Sequence, residues 1–287
     1  MEPSFEDREV RDRSSARGVA PEVLAHYERY AEETRLQLGS SRLEFERTKD
    51  ILERVLPAAP ASILDVGGAA GAYSLWLAER GYEVHLVDIT PRLIEEARKR
   101  SAAATTPLAS IAVGDARKLP QADRSCDALL LMGPLYHLQE SADRAAALRE
   151  ANRVLRAGGT IAVAGVSRYA STLDGMVRGF SLDPRFVKIR DRDLVDGCHI
   201  NDTNEPMYFT TAFFHRPEDL RAEMEAAGFR DVSVYGIEGI GWMLSDFDAR
   251  WADPRLKRDV LEVARALERE TSIVGASAHL LGVAHRG

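Results

Sequence analysis

The chain has 287 residues, 45% of them hydrophobic and 29% charged, with 21 Gly and 12 Pro, which excludes a disordered or collagen-like polymer and allows a large core. Its formal charge is -7, from 38 basic and 45 acidic residues, so a nucleic acid would have to be held against an unfavourable mean field. Two cysteines, Cys126 and Cys198, are too few for a disulfide framework or a four-thiolate zinc site.

Met1 to Arg17 is studded with Glu, Asp and Arg and lacks the apolar stretch of a signal peptide, which gives the expectation of a cytoplasmic protein. The longest apolar runs, such as Ala128 to Met132 and Ile161 to Val166, are too short to cross a bilayer, so no membrane partner is expected. Apolar residues at helical spacing predict two N-terminal helices, Pro21 to Leu38 and Leu43 to Leu56, before Pro57 and Pro60 interrupt the pattern. From Ile63 short apolar runs alternate with amphipathic stretches. Ile63 to Val66, Glu83 to Val87, Ile111 to Val113, Ala128 to Met132 and Thr160 to Ala164 read as buried strands, with helices over Ala72 to Arg80, Pro91 to Ser101 and Ser141 to Arg156. This alternation predicts an α/β protein with a parallel sheet covered on both faces, whose ligands bind beyond the carboxyl ends of the strands.

Ser167 to Arg216 loses that regularity, is rich in aromatic residues, and reads as a lid. A helix over Pro217 to Ala227, a sixth strand over Val232 to Tyr235, an insertion from Gly236 to Leu256, a helix over Lys257 to Glu270 and a final strand over Leu280 to His285 complete the chain. Without the attachments 1–50, 167–216 and 237–277, enough chain remains for one sheet and its helices. The expectation is therefore a single domain over 1–287, with a ligand-binding core at 63–166 and the C-terminal part of the sheet at 217–287.

The most informative segment is Asp65 Val66 Gly67 Gly68 Ala69 Ala70 Gly71, between a strand and a helix. Glycine there lets backbone approach a ligand. A dinucleotide fingerprint would need Gly where Ala69 and Ala72 stand, so a nicotinamide dehydrogenase is disfavoured. Asp65, two residues before the first glycine, is the distinguishing feature.

Asp65 to Gly71 resembles motif I of the class I S-adenosylmethionine-dependent methyltransferases, with Ala69 in place of the middle glycine. Val84 to Asp88, Gly114 to Ala116 and Arg153 to Thr160 follow in the order of that family's later motifs. The resemblance implies a Rossmann-like doubly wound sheet of seven strands, mostly parallel with an antiparallel last strand, carrying N-terminal helices and a lid insertion. It implies S-adenosyl-L-methionine as the cofactor. Asp65, Gly67, Gly68 and Gly71 would form its cradle, Asp88 would accept the ribose hydroxyls, and Ile89 would cover the adenine. Asp115 and Ala116 would take the adenine amino group, and Met132 would close the cofactor site. Arg47, on the helix before the loop, is the expected bidentate partner of the methionine carboxylate.

The family places the acceptor beside the end of the fourth strand. Gly133 to Tyr136 has the outline of the Asn/Asp-Pro-Pro-Tyr motif of N-methyltransferases, but Gly133 lacks the side-chain oxygen that would hold an amine. Tyr136 and His137 are the catalytic candidates, with His137 as general base or as a helix-capping histidine and Tyr136 shaping the pocket. Tyr27, Arg168, Tyr169, His199, Tyr208, His215 and Trp242 are the acceptor-pocket candidates. No His/Cys cluster has metal-ligand spacing. The expected function is methyl transfer to a small-molecule acceptor. An RNA or protein methyltransferase, with Arg185 to Arg192 as its basic stretch, and a non-catalytic binder of the cofactor or its product stay open beside it.

Overall fold

The structure is a computed structural model that describes residues 32–203 and 205–287. Tyr27, Tyr30 and most of the expected helix Pro21 to Leu38 lie outside the described residues.

A helical turn at Glu32–Arg35 leads into α1 (Ser41–Val55), whose Leu43, Ile51 and Leu52 are fully buried. The alternating unit follows as β1 (Ser62–Val66), α2 (Ala72–Ala78), β2 (Glu83–Asp88), α3 (Pro91–Ala103), β3 (Ser110–Val113) and β4 (Cys126–Leu131). A short helical turn, α4 (Pro134–His137), then α5 (Ser141–Val154), leads to β5 (Leu155–Ser167). Side chains alternate across the sheet as strand geometry requires. Leu64, Val66, Leu129, Leu131, Ile161 and Val163 join one core cluster. Ile63, Leu130 and Ala162 join the other.

The strands run in the order β3-β2-β1-β4-β5, all parallel, so the direction of winding reverses between β1 and β4. Register brings the strand ends level: Val66 pairs with both Val87 and Leu131, and Asp88 pairs with Val113. Loops after β1, β2, β3 and β4 therefore open onto one crevice, at the switch point where such folds bind ligands.

Beyond β5 the sheet continues with β9 (His279–Arg286), antiparallel to β5, and then β8 (Phe229–Gly236), antiparallel to β9. These seven strands are those the resemblance implies. The insertion differs from its expectation as an irregular lid. It folds as α6 (Ala170–Arg178), α7 (Pro184–Asp196) and a small hairpin of β6 (Cys198–His199) and β7 (Ala212–His215), with β7 extending the tip of β5. Asp183 caps α7 through the Arg185 N–H, Pro184 opens it and Gly197, at φ 82°, ends it. Phe186 and Ile189, on its inner face, join Tyr208 and Phe180 in a core of their own. After α8 (Pro217–Ala226) and β8, the second insertion forms α9 (Phe247–Ala252) and α10 (Pro254–Leu267), and Phe247 and Val260 cover Leu43 of α1.

Candidate cofactor and active site

The loop between β1 and α2 is built on glycine for two reasons. Gly67 and Gly71 sit at φ 75° and 83°, in the left-handed region. A Cβ on Gly67 would also collide with Cδ of Pro134, so the loop packs backbone against the turn after β4. Ala69 shares the left-handed conformation, at φ 49°, and its N–H donates to Asp88 Oδ2 at 3.0 Å. The Thr90 N–H donates to the other oxygen at 2.8 Å. Burial raises the Asp88 carboxyl above its ordinary value, and these two N–H groups oppose the rise.

Asp65 lies beneath the loop, fully buried, with Oδ2 accepting the Ser74 hydroxyl at 2.6 Å and Oδ1 without a hydrogen-bond partner. Burial, opposed by that hydroxyl and reinforced by the charge of Asp88, pushes the carboxyl up to about 7.

A cavity of about 330 Å³ opens over these strand ends. Gly67, Gly68, Asp88, Ile89, Asp115, Ala116, Met132, Tyr136 and His137 are all on its wall. Gly71 stands one step back, as the residue preceding α2. Asp115 accepts the Arg117 guanidinium at 2.6 Å, and this arginine outweighs burial and holds the carboxyl below its ordinary value. His137 Nδ1 is 3.3 Å from the Thr211 carbonyl. A carbonyl only accepts, so this nitrogen carries the proton, and the lone pair of the neutral ring is on Nε2. Arg144 fixes the end of the same turn, donating to the Leu138 and Gln139 carbonyls at 2.9 and 2.6 Å while its Nε donates to Glu223.

Arg47 is not on the cavity wall. Its guanidinium is 1% exposed and held by Asp50, Glu268 and the Ile237 carbonyl, so it is withdrawn as the carboxylate partner. Arg35 lines the cavity in its place, with Phe45 and Tyr73, residues the sequence reading did not single out. Arg35 pairs with Glu44 at 2.6 and 3.0 Å. Behind it, Glu44, Glu238 and His279 bring possible ligand atoms within 4.8 Å of one another. Arg35 and a protonated His279 already balance the two carboxylates. Glu44 and Glu238 overcome the lowering effect of burial and hold the imidazole at about 9.

The six described members of the expected acceptor pocket also lie off the wall, because each serves packing. Arg168 donates to the Phe214 carbonyl at 2.7 Å and reaches Asp219; Tyr169 lies against Gly275. His199 bonds Asp193 and the Tyr208 carbonyl, and the Tyr208 hydroxyl donates to Asp183. His215 contacts Glu223, and the Trp242 indole donates to the Ala276 carbonyl. The signal that could have found Tyr73 is positional: it occupies the first turn after the glycine loop.

A doubly wound sheet with a glycine loop after β1 and a buried acid ending β2 defines a nucleoside-binding α/β protein. Residues 64–163 match the model of the methyltransferase domain family. An uncharacterized methyltransferase of Mycobacterium tuberculosis is 32% identical over 131 residues, 44% of this chain and 50% of that protein, so the chain spans half the length of that relative. A demethylmenaquinone methyltransferase of Deinococcus radiodurans is 32% identical over 190 residues, 64% of this chain and 76% of that protein. A crystal structure from Thermotoga maritima, described as an S-adenosylmethionine-dependent methyltransferase and possible histamine N-methyltransferase, shares the fold with a TM-score of 0.57 at 20% identity, covering 92% of this chain and 99% of that one. The chain belongs to the S-adenosylmethionine-dependent methyltransferase family, whose cofactor is S-adenosyl-L-methionine. The site fits that cofactor: the loop admits no side chain at Gly67, and a buried Asp65 oxygen beneath it lacks a partner.

Proposed function

We propose that this chain transfers the methyl group of S-adenosylmethionine to a small-molecule acceptor by in-line displacement. The supporting observation is one cavity whose wall runs from Asp88 and Asp115 to Tyr136 and His137, so that the strand ends expected to hold the nucleoside and the turn expected to meet the acceptor face the same space. In this reading Asp88 accepts the ribose hydroxyls, Ile89 covers the adenine, Asp115 shares its oxygens between Arg117 and the adenine amino group, and Arg35 faces the methionine carboxylate. Alignment alone contributes up to about 7–11 kcal/mol; in this reading Tyr136 shapes the acceptor pocket, and His137 receives a proton where the acceptor must lose one.

A small acceptor is favoured over RNA because the arginines of 185–192 are partly matched by acids: Arg185 pairs with Asp183 and Arg190 with Asp191. The Deinococcus relative is named for demethylmenaquinone, itself a small molecule. Among the described residues no helix is long and apolar enough to cross a membrane. The inferred organisation is one domain acting in the cytoplasm.

Calorimetric titration with S-adenosylmethionine and S-adenosylhomocysteine tests the cofactor site, with saturable binding of both expected and silence at millimolar concentration overturning it. Methyl-labelled cofactor incubated with fractionated cell extract tests the acceptor: label should enter the low-molecular-mass fraction, and label in RNA or protein would refute a small acceptor.

A further inference from the structure

Resting on that reading, we infer that Phe209 is a positioning residue for methyl transfer: a strained backbone, latched by Asn201, holds its ring against His137 and so fixes the turn that meets the acceptor. Phe209 has φ 69° and ψ -178°. That region is populated almost only by glycine, and a residue with a side chain stays there only where its surroundings determine the conformation. Glycine would make the same turn without strain, so the strain is held for the sake of the ring.

The surroundings determine the conformation from both directions along the chain. The Phe209 N–H donates to the Pro206 carbonyl at 3.3 Å, and the Phe209 carbonyl accepts Asn201 Nδ2 at 2.7 Å. The same amide nitrogen donates to the Glu205 carbonyl at 2.8 Å, while Asn201 Oδ1 accepts the Thr203 N–H and hydroxyl at 3.1 and 2.7 Å. Just before Phe209, the Tyr208 carbonyl accepts His199 Nε2 at 2.7 Å, and the Tyr208 ring lies in the core formed with Phe186 and Phe180. Just after it, Thr210 and Thr211 are buried and the chain enters β7 at Ala212, paired with His199.

The ring joins two parts of the molecule. On the insertion it meets His199 and Phe214 with centroids 6.0 and 6.3 Å apart, and on α4 it lies 28° from parallel to His137 at 6.3 Å. With Tyr136 it packs against Val166, Ala212 and Phe214. Hydrogen bonds follow the same seam: His137 Nδ1 is 3.3 Å from the Thr211 carbonyl, and Gln139 Nε2 donates to the His199 and Ala212 carbonyls at 3.3 and 3.4 Å. Tyr136 and His137 are on the cavity wall and Phe209 is not, so Phe209 acts through them. In-line displacement depends on alignment, and a misplacement of about 1 Å costs on the order of a hundredfold in rate. A turn backed by a rigid ring meets that demand.

The test compares Phe209→Gly, Phe209→Ala and Phe209→Tyr in the full chain. Phe209→Gly should melt above Phe209→Ala, the reverse of the order at an ordinary position, because only glycine occupies this region without strain. With S-adenosylhomocysteine bound, amides of 136–139 should exchange with deuterium about tenfold faster in Phe209→Gly than in the wild type or Phe209→Tyr, while those of β1 and β4 keep their rates. Methyl-labelled S-adenosylmethionine is then supplied with graded amounts of the low-molecular-mass fraction of cell extract. The limiting rate should fall about tenfold to a hundredfold in Phe209→Gly and Phe209→Ala and be kept in Phe209→Tyr, with S-adenosylhomocysteine affinity within about twofold of the wild type. Asn201→Asp, which keeps the shape but loses the amide donor, should reproduce the faster exchange and serves where the glycine variant fails to fold. Phe209→Ala melting above Phe209→Gly, unchanged exchange at 136–139, an unchanged limiting rate, or a parallel loss of S-adenosylhomocysteine affinity would each overturn the inference. A wild type that binds S-adenosylhomocysteine but labels nothing in that fraction would refute the small acceptor, and the exchange comparison then decides for or against Phe209. Failure of S-adenosylhomocysteine to bind the wild-type chain would instead remove the cofactor reading, and this inference with it.

Discussion

Asp65 and Asp88 are nine-tenths buried or more and both are raised by burial, yet they are put to different uses. Asp88 is anchored by two backbone N–H groups and stands on the cavity wall. Asp88→Ala should weaken S-adenosylhomocysteine binding about tenfold to a hundredfold, the ~1.5–3 kcal/mol of a hydrogen bond to a charged group, as read by calorimetry. Asp65 is displaced from 3.8 to about 7, so the folded state holds a proton that the unfolded state has released. Stability from this group is therefore greatest below the unfolded value, falls as pH rises from about 4 to about 7, and stays reduced above that. Asp65→Asn removes the titration. The melting temperature of the variant minus that of the wild type should become more positive from pH 5 to pH 8, and a difference independent of pH would count against the burial argument.

At the scale of elements, the glycine loop separates two kinds of left-handed residue. Gly67→Ala adds a methyl group against the fixed ring of Pro134 in a conformation that costs a further ~1–2 kcal/mol, so S-adenosylhomocysteine affinity should drop at least about tenfold. Ala69→Gly should change stability by less than about 1 kcal/mol in denaturant titration, because relief at φ 49° is offset by a freer unfolded chain. The strands were legible because a parallel sheet buried on both faces needs short continuous apolar runs, and β1 and β4 end where those runs do. The phase of α1 was not. Residues 45 and 47 point about 200° apart around a helix, so with Phe45 on the cavity Arg47 is turned toward Glu268. Nor could the aromatics of the insertion be told from substrate contacts. Phe180, Phe186 and Tyr208 make a local core, a reason for aromatic composition as good as any ligand.

Across the whole molecule, the ionic cluster of Arg35, Glu44, Glu238 and His279 ties α1 to the end of β8 and the start of β9. Arg35 and His279 outweigh burial to lower Glu44 to about 2, so its contribution is present above 4.5 and lost as pH falls toward 2. His279, raised from 6.5 to about 9, stabilises the fold fully below 6.5 and loses that effect as pH rises through 9. With the penalty from Asp65 setting in above the unfolded value of 3.8, these three groups together place the stability maximum at about pH 4, with a fall from there toward pH 7. His279→Gln should lower the melting temperature at pH 6 and match the wild type above pH 10 in a calorimetric scan.

The insertion of β9 between β5 and β8 also orders assembly in time. Thr160 pairs with His285 and Val166 with His279, across more than a hundred residues, and β8 has β9 as its strand partner. Closing so long a loop is an entropic cost that comes before any return from pairing, whereas the pairings among β1 to β5 span fewer residues, the longest joining Ile63 to Ala128. The half of the sheet that carries the glycine loop and His137 should therefore gain structure before β8 and α8 do. In pulsed hydrogen exchange, amides of β1 and β4 should become protected ahead of those in β8, and the reverse order would show that the C-terminal hairpin nucleates the fold.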